Sequence, residues 1–137
     1  MTTSLTPRAH PTKALTGTGV EFRKMAEALV AEHRAHDRGV GHAFLGGFFL
    51  VAPWPLGDKA RALGEFEEAA GQHPSSKRNA YNLCVGAYKN GQFARAEQLS
   101  RVALGLRCEG ATEHDYCHRL DSEAARVGAM AAKLVVQ

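Results

Sequence analysis

Alanine recurs at positions 28, 62 and 96 and again at 35, 69 and 103, so two triples share one 34-residue spacing and stand seven residues apart. Two turns of an α-helix take about 7.2 residues, so the two members of each pair lie on one face of one helix. A small side chain on such a face lets a neighbouring helix approach closely. The spacing therefore points to a series of similar helices packed side by side, and it constrains the fold more than any other feature of the chain.

The chain has 137 residues, 45% of them hydrophobic and 23% charged. That suits one compact domain with a core and leaves no room for a second, enzymatic domain. The formal charge is +3, but acidic and basic residues alternate through the helical region instead of clustering, so no nucleic-acid partner is expected. Cys84, Cys108 and Cys117 form no even disulfide framework, and Cys84 beside Leu83 reads as a small buried thiol. This favours a reducing, cytoplasmic setting. Residues 1–18 hold no Asp or Glu and are rich in Thr, Ser and Pro; they read as a disordered leader, a composition that organelle-targeting peptides share. The helical domain is expected over 19–137. Its one strongly apolar run, Ala43 to Leu56, has 14 residues and carries Pro53 and Pro55, too short and too broken to span a bilayer.

Helical periodicity divides the domain. Thr18 and Glu21 form a capping-box pattern that opens a helix from Val20 to Asp37, with Phe22, Met25, Ala26, Leu29 and Val30 on its inner face. The Gly39/Gly41 pair ends it. His42 to Ala52 is apolar all round, the pattern of a helix that is buried or covered by a partner, and Pro53 and Pro55 stop it. Asp58 caps a helix to Gln72 with Ala62, Leu63, Phe66, Ala69 and Ala70 inward and Lys59, Arg61, Glu65, Glu67 and Glu68 mostly outward. Pro74, Ser75 and Ser76 turn the chain into a helix from Lys77 to Asn90, whose inner set is Ala80, Leu83, Cys84, Ala87 and Tyr88 and which Asn90-Gly91 terminates. Phe93 to Arg107 repeats the pattern through Ala96, Leu99, Val102, Ala103 and Leu106. A last helix, capped by Thr112, runs to Val135 through Leu120, Ala124, Val127 and Ala131. No run alternates as a strand would.

The residues Tyr81-Asn82-Leu83, Ala87-Tyr88-Lys89-Asn90-Gly91-Gln92-Phe93, Ala96 and Ala103-Leu104 together resemble a tetratricopeptide (TPR) unit without a gap, and Ala62, Phe66, Ala69 and Pro74 follow the same family's small, aromatic, small, proline order one unit earlier. Four positions depart from the family: its first-helix tryptophan is Ala80 here and Gly46 one unit earlier, Phe49 stands where Leu83 does, and the proline at the third unit's entrance is Cys108. The Pro55-Leu56-Gly57 turn before a charged helix also resembles the soluble TPR-like component of tripartite periplasmic transporters. The TPR resemblance implies an all-α, right-handed superhelix of about six antiparallel helices, with two whole pairs and a half-unit at each end. It also implies a concave wall built from first helices. That wall would present Arg78, Tyr81, Asn82, Val85 and Lys89 from one helix and Asp115, Tyr116, Arg119 and Ser122 from the next. A protein or peptide partner would lie in this short groove, with Arg78, Asn82, Lys89 and Arg119 meeting acidic groups. Asn82 matches a backbone-gripping Asn of peptide-clamping TPRs, but Tyr81 and Val85 replace that clamp's Lys and second Asn.

The apolar end carries the alternative. Phe44, Phe48, Phe49, Leu50, Val51 and Trp54 exceed what one short helix needs for packing on two neighbours, so Phe44, Phe48 and Trp54 are candidates for a face that self-associates or inserts into a larger assembly. His114 and His118 lie four apart beside Asp115 and Cys117, with Cys108 just ahead, but these residues lack the paired spacing of zinc knuckles. No metal or cofactor is expected. Ser75, Ser76 and Ser100 stand in no nucleophile elbow, and no Gly-Lys-Ser/Thr follows Gly39, Gly41, Gly46 and Gly47. The sequence thus reads as a binding adaptor without enzymatic chemistry.

Overall fold

The structure, a computed structural model, describes residues 17–33 and 35–135. Over these the chain forms six α-helices and one 3-10 turn, with no strand among the described residues: α1 Gly17–Glu32, the 3-10 turn His36–Arg38, α2 Val40–Val51, α3 Lys59–Gln72, α4 Lys77–Lys89, α5 Phe93–Gly105 and α6 Gly110–Val135. Each helix packs on the next, and α4 also lies along α6 and touches α2. No described helix is long and apolar enough to cross a membrane. Residues 1–16 of the expected leader lie outside the described residues, while Gly17 and Thr18 already belong to α1.

Local chemistry sets most of the boundaries. Asp58 caps α3 by accepting the Arg61 N–H at 3.0 Å, and Ser76 caps α4 by accepting the Asn79 N–H at 3.1 Å. Each such bond satisfies one of the free donors of a helix start and contributes about 1 kcal/mol. Asn90 and Gly91, the latter with φ of 77°, end α4 as expected.

Three boundaries differ most from the sequence reading. Thr18 is inside α1 and not its cap. That helix stops at Glu32, short of Asp37, and Asp37, Arg38 and Gly39 then take left-handed φ values of 44°, 55° and 78°. Such a conformation costs roughly 1–2 kcal/mol per non-glycine residue, so contacts from elsewhere must hold it. Thr112 is likewise inside α6, which starts at Gly110; the first-turn carboxylate is Glu113, and its Oε1 accepts the Glu109 N–H at 3.2 Å.

The core runs through three clusters. Ala26, Leu45, Phe48, Phe49, Ala62, Leu63, Phe66 and Leu83 join α1 to α4. Cys84, Ala87, Ala96, Val127 and Ala131 join α4, α5 and α6, and Ala80, Ala103 and Ala124 continue that contact. Phe66 is the pivot of the first cluster. A Cβ at Gly46 would stand 2.5 Å from its ring and a Cβ at Gly86 2.9 Å, so this aromatic from α3 fills space that larger residues on α2 and α4 would need. Glycine at position 46 leaves room for that ring.

The 34-residue pattern is expressed unequally. Ala62, Ala69, Ala96 and Ala103 are all buried, whereas Ala28 and Ala35 are exposed and Ala26 takes the buried place in α1. The close approach between α1 and α2 comes instead from Gly41, where a Cβ would sit 2.8 Å from that of Leu29. Three further expectations fail. Val102 faces outward while Ser100 is buried, its hydroxyl donating to the Ala124 carbonyl at 2.8 Å. Glu65 turns inward to meet the buried His42, Nδ1 to Oε1 2.7 Å, so α2 is not apolar all round. Cys108 and Cys117 form a disulfide, contrary to the reading that the cysteines make no framework, and Cys84 is the free buried thiol.

Candidate functional site

The run Ser76-Lys77-Arg78-Asn79 begins α4, and its side chains reach α3, α5, α6 and the left-handed turn. Ser76 donates its hydroxyl to Glu113 Oε2, which also accepts the Arg78 N–H at 3.4 Å. A carboxylate there answers the open N–H groups and the positive end of the helix dipole, which is how Glu113 is carried at 1% exposure. Lys77, 2% exposed, points the other way. Its Nζ donates to the Ala103 carbonyl at 2.7 Å and to Asp121 Oδ1 at 2.6 Å, closing the carbonyl end of α5 with a cation. Asn79 donates to the Arg38 carbonyl at 2.9 Å and the Ala69 carbonyl at 3.2 Å.

Arg78 completes this polar hub. One of its terminal nitrogens donates to the carbonyls of Asp37 at 2.8 Å and Arg38 at 3.0 Å, and the other meets Asp37 Oδ2 at 3.5 Å. These bonds, with those of Asn79, fasten the left-handed turn to α4. Burial lowers the pKa of the guanidinium below its ordinary value, while the charges of Asp37 and Glu113 oppose that shift. The expected role of Arg78, contact with acidic groups of a partner, therefore meets an intramolecular claim on most of its donors.

Beside the hub, α4 and α6 enclose a cleft of about 360 Å³ lined by Arg78, Tyr81, Glu113, Tyr116, Arg119, Leu120 and Glu123. The lining follows from helical spacing: Arg78 and Tyr81 are three apart on α4, and Glu113, Tyr116, Leu120 and Glu123 advance by three or four along α6. Tyr81 is half-buried, and desolvation, followed by the charge of Glu123, raises its phenol above the ordinary value against the pull of Arg126 and Arg119. Glu123 is held by Arg126 at 2.8 Å, a hydrogen bond that lowers its carboxyl below the usual range. Glu113 is committed to the hub. Arg119 alone among the charged residues of the lining makes no hydrogen bond or ion pair with any described residue.

Of the residues expected to bind a partner, the structure gathers Arg78, Tyr81, Tyr116 and Arg119 into this cleft; Asn82, Val85 and Lys89 lie outside its lining, as do Asp115 and Ser122. Val85 packs against the second core cluster. Glu113, Leu120 and Glu123 were not anticipated. The i, i+3, i+7 series that starts at Glu113 and passes Tyr116 was the available signal, but spacing along α6 does not say which of its faces turns toward α4.

At the other end of the molecule the three apolar candidates separate. Phe48 is buried at 6% exposure and belongs to the core, while Phe44 at 37% and Trp54 at 87% face outward. Phe44 rests against Phe22 with ring centres 5.8 Å apart. Arg61 lies over the Phe49 ring at 4.2 Å, which places a cation at the margin of the apolar layer.

The imagined metal ligands part company as well. Cys108 and Cys117 are bonded to each other, and His114, Asp115 and His118 are exposed on α6. No group of three or more such residues among the described ones could hold an ion. Comparison of the chain with protein-family models, with curated proteins and with solved structures finds no match to any of them.

Proposed function

We propose that this chain is a TPR-like interaction module whose α4–α6 cleft receives a segment of a partner protein. The serial contact of α2, α4 and α6 supports the TPR-like reading, because it is the arrangement in which first helices build one wall. The observation that carries the binding role is the state of Arg119: a guanidinium at an open, aromatic-walled cleft whose neighbouring carboxylates are already engaged. The partner segment offers a carboxylate to Arg119 and an apolar side chain to Tyr81, Tyr116 and Leu120. The reading of a cytoplasmic setting rested on unpaired cysteines, and the Cys108–Cys117 bond removes that ground.

Affinity capture from native cells, followed by titration of the captured partner's peptides, tests the proposal. Arg119→Glu is expected to weaken binding by about tenfold or more, the scale of one lost charge-assisted bond, while thermal stability changes little because the exposed side chain makes no hydrogen bond or ion pair with any described residue. Undiminished capture by Arg119→Glu together with Tyr116→Ala would refute it.

A further inference from the structure

The helix α6 is held by two different means along its length. From 107 to 119, Glu113 is the one buried residue among those whose side chains are described; beyond it, Ala124, Val127, Gly128 and Ala131 are all buried. A segment with so little buried apolar surface opens at low cost unless something else restrains it. Besides the hydrogen bonds of Glu109 and Glu113, the covalent restraint is the Cys108–Cys117 disulfide, which spans nine residues with its Cα atoms 5.9 Å apart.

What lies inside and beside that span gives the bond its reach. Glu109 donates its N–H to Glu113 and accepts the Ser75 hydroxyl at 3.3 Å. Gly110, with φ of 78°, packs against the Arg38 guanidinium, so α6 begins in contact with the left-handed turn. Glu113 caps α4 and lines the cleft, and Tyr116 and Arg119 flank Cys117. Both cysteines are partly exposed, within reach of a reductant, whereas Cys84 is buried.

We propose that Cys108–Cys117 is a redox clasp that gates the cleft. Oxidised, it keeps the first turns of α6 helical and Tyr116 and Arg119 opposite Tyr81. Reduced, residues 107–119 open and the cleft loses that wall, while the apolar part of the fold stays closed. The reductant is a dithiol. Its thiolate attacks one sulfur of the bond, giving a mixed disulfide and expelling the other cysteine as a thiolate that takes up a proton. The second thiol of the reductant then displaces the first cysteine and closes the reductant's own disulfide. Two electrons and two protons pass to the cysteine pair. The gating consequence rests on the cleft as the binding site; the opening itself does not.

Hydrogen exchange read by mass spectrometry, on the full chain with and without dithiothreitol, tests the clasp, and alkylation under native conditions counts the thiols. The expected result is two alkylated cysteines only after reduction, exchange in 107–119 faster by about tenfold or more, and exchange in 80–87 and 124–131 changed by less than about twofold. A Cys108→Ser/Cys117→Ser double variant is expected to show the open pattern without reductant. The clasp is overturned if the bond resists reduction in the native protein, if 107–119 stays protected after both cysteines are alkylated, or if every region opens together. Capture by Arg119→Glu is measured apart from this, so a failed cleft and a failed clasp give different results.

Discussion

Ala28 and Ala96 hold the same place in the 34-residue pattern, yet Ala96 is fully buried and Ala28 faces solvent. The difference is in their neighbours. Helix α5 is gripped by α4 on one side and α6 on the other, and α3 by α2 and α4, while α1 packs chiefly on α2. A period of small residues marks helices of similar face and length, but a stripe is buried only where a second helix arrives to cover it. Among the described residues α2 is the chief cover of α1 and Ala26 is buried in that contact, where the glycine at 41, not an alanine of the repeat, makes the close approach.

That contrast can be broken directly. Ala96→Leu inserts three carbons between α4, α5 and α6, and overpacking at so confined a site is expected to cost about 3 kcal/mol; the same change at Ala28 should stay within about 0.5 kcal/mol. Urea midpoints of the two variants decide this, and equal losses would show that α1 is covered after all.

A second test reads the seal of the repeated core through Cys84, whose Sγ faces the Ala96 carbonyl at 3.2 Å. Burial pushes this thiol up to about 11, from an ordinary value of 9.0. The folded value lies above the unfolded one, so the stabilisation from keeping the thiol neutral is complete below about pH 9 and fades as pH rises through about 11, a loss of order 2 kcal/mol. Stability curves of the native chain and Cys84→Ala should converge over that window. Native Cys84 should also resist thiol reagents at pH 8, and rapid labelling there would contradict a sealed core.

The smallest effect sharpens the comparison within one helix. Gly46 and Gly47 are adjacent on α2, but a Cβ at Gly46 meets Phe66 at 2.5 Å and a Cβ at Gly47 meets nothing within 4 Å. Gly46→Ala is expected to cost about 1–2 kcal/mol, the ring being held on both sides. Gly47→Ala should gain about 0.5–1 kcal/mol, since alanine loses less backbone entropy on entering a helix. Chemical denaturation of the pair measures both signs, and a gain at position 46 would mean that Phe66 moves freely.

Much of the helical plan was legible because it is written locally. Asp58 before a periodic segment and Asn90-Gly91 after one act through bonds a few residues long, so α3 and α4 begin and end where their residues indicate. Half of the cleft was legible for a related reason: Arg78 and Tyr81 share a face of α4 whatever packs beside it. The rest was not. Lys77 and Asn79 belong by type to the surface, and only carbonyls brought from α3, α5 and the turn at Arg38 make their burial favourable. The carboxylates at 113 and 123 enter the lining through the rotation of α6 about its axis, a property of the packing and not of the helix.

By itself, the sequence determined the all-helical class, the approximate helices and the small-residue faces, because caps, periodicity and side-chain size act over one or two turns. Only the tertiary structure decided which alanines are covered, which polar residues are buried, and that Cys108 and Cys117 are bonded. Each of these depends on atoms far apart in the chain meeting within a few ångströms, and spacing along a sequence carries no measure of that distance.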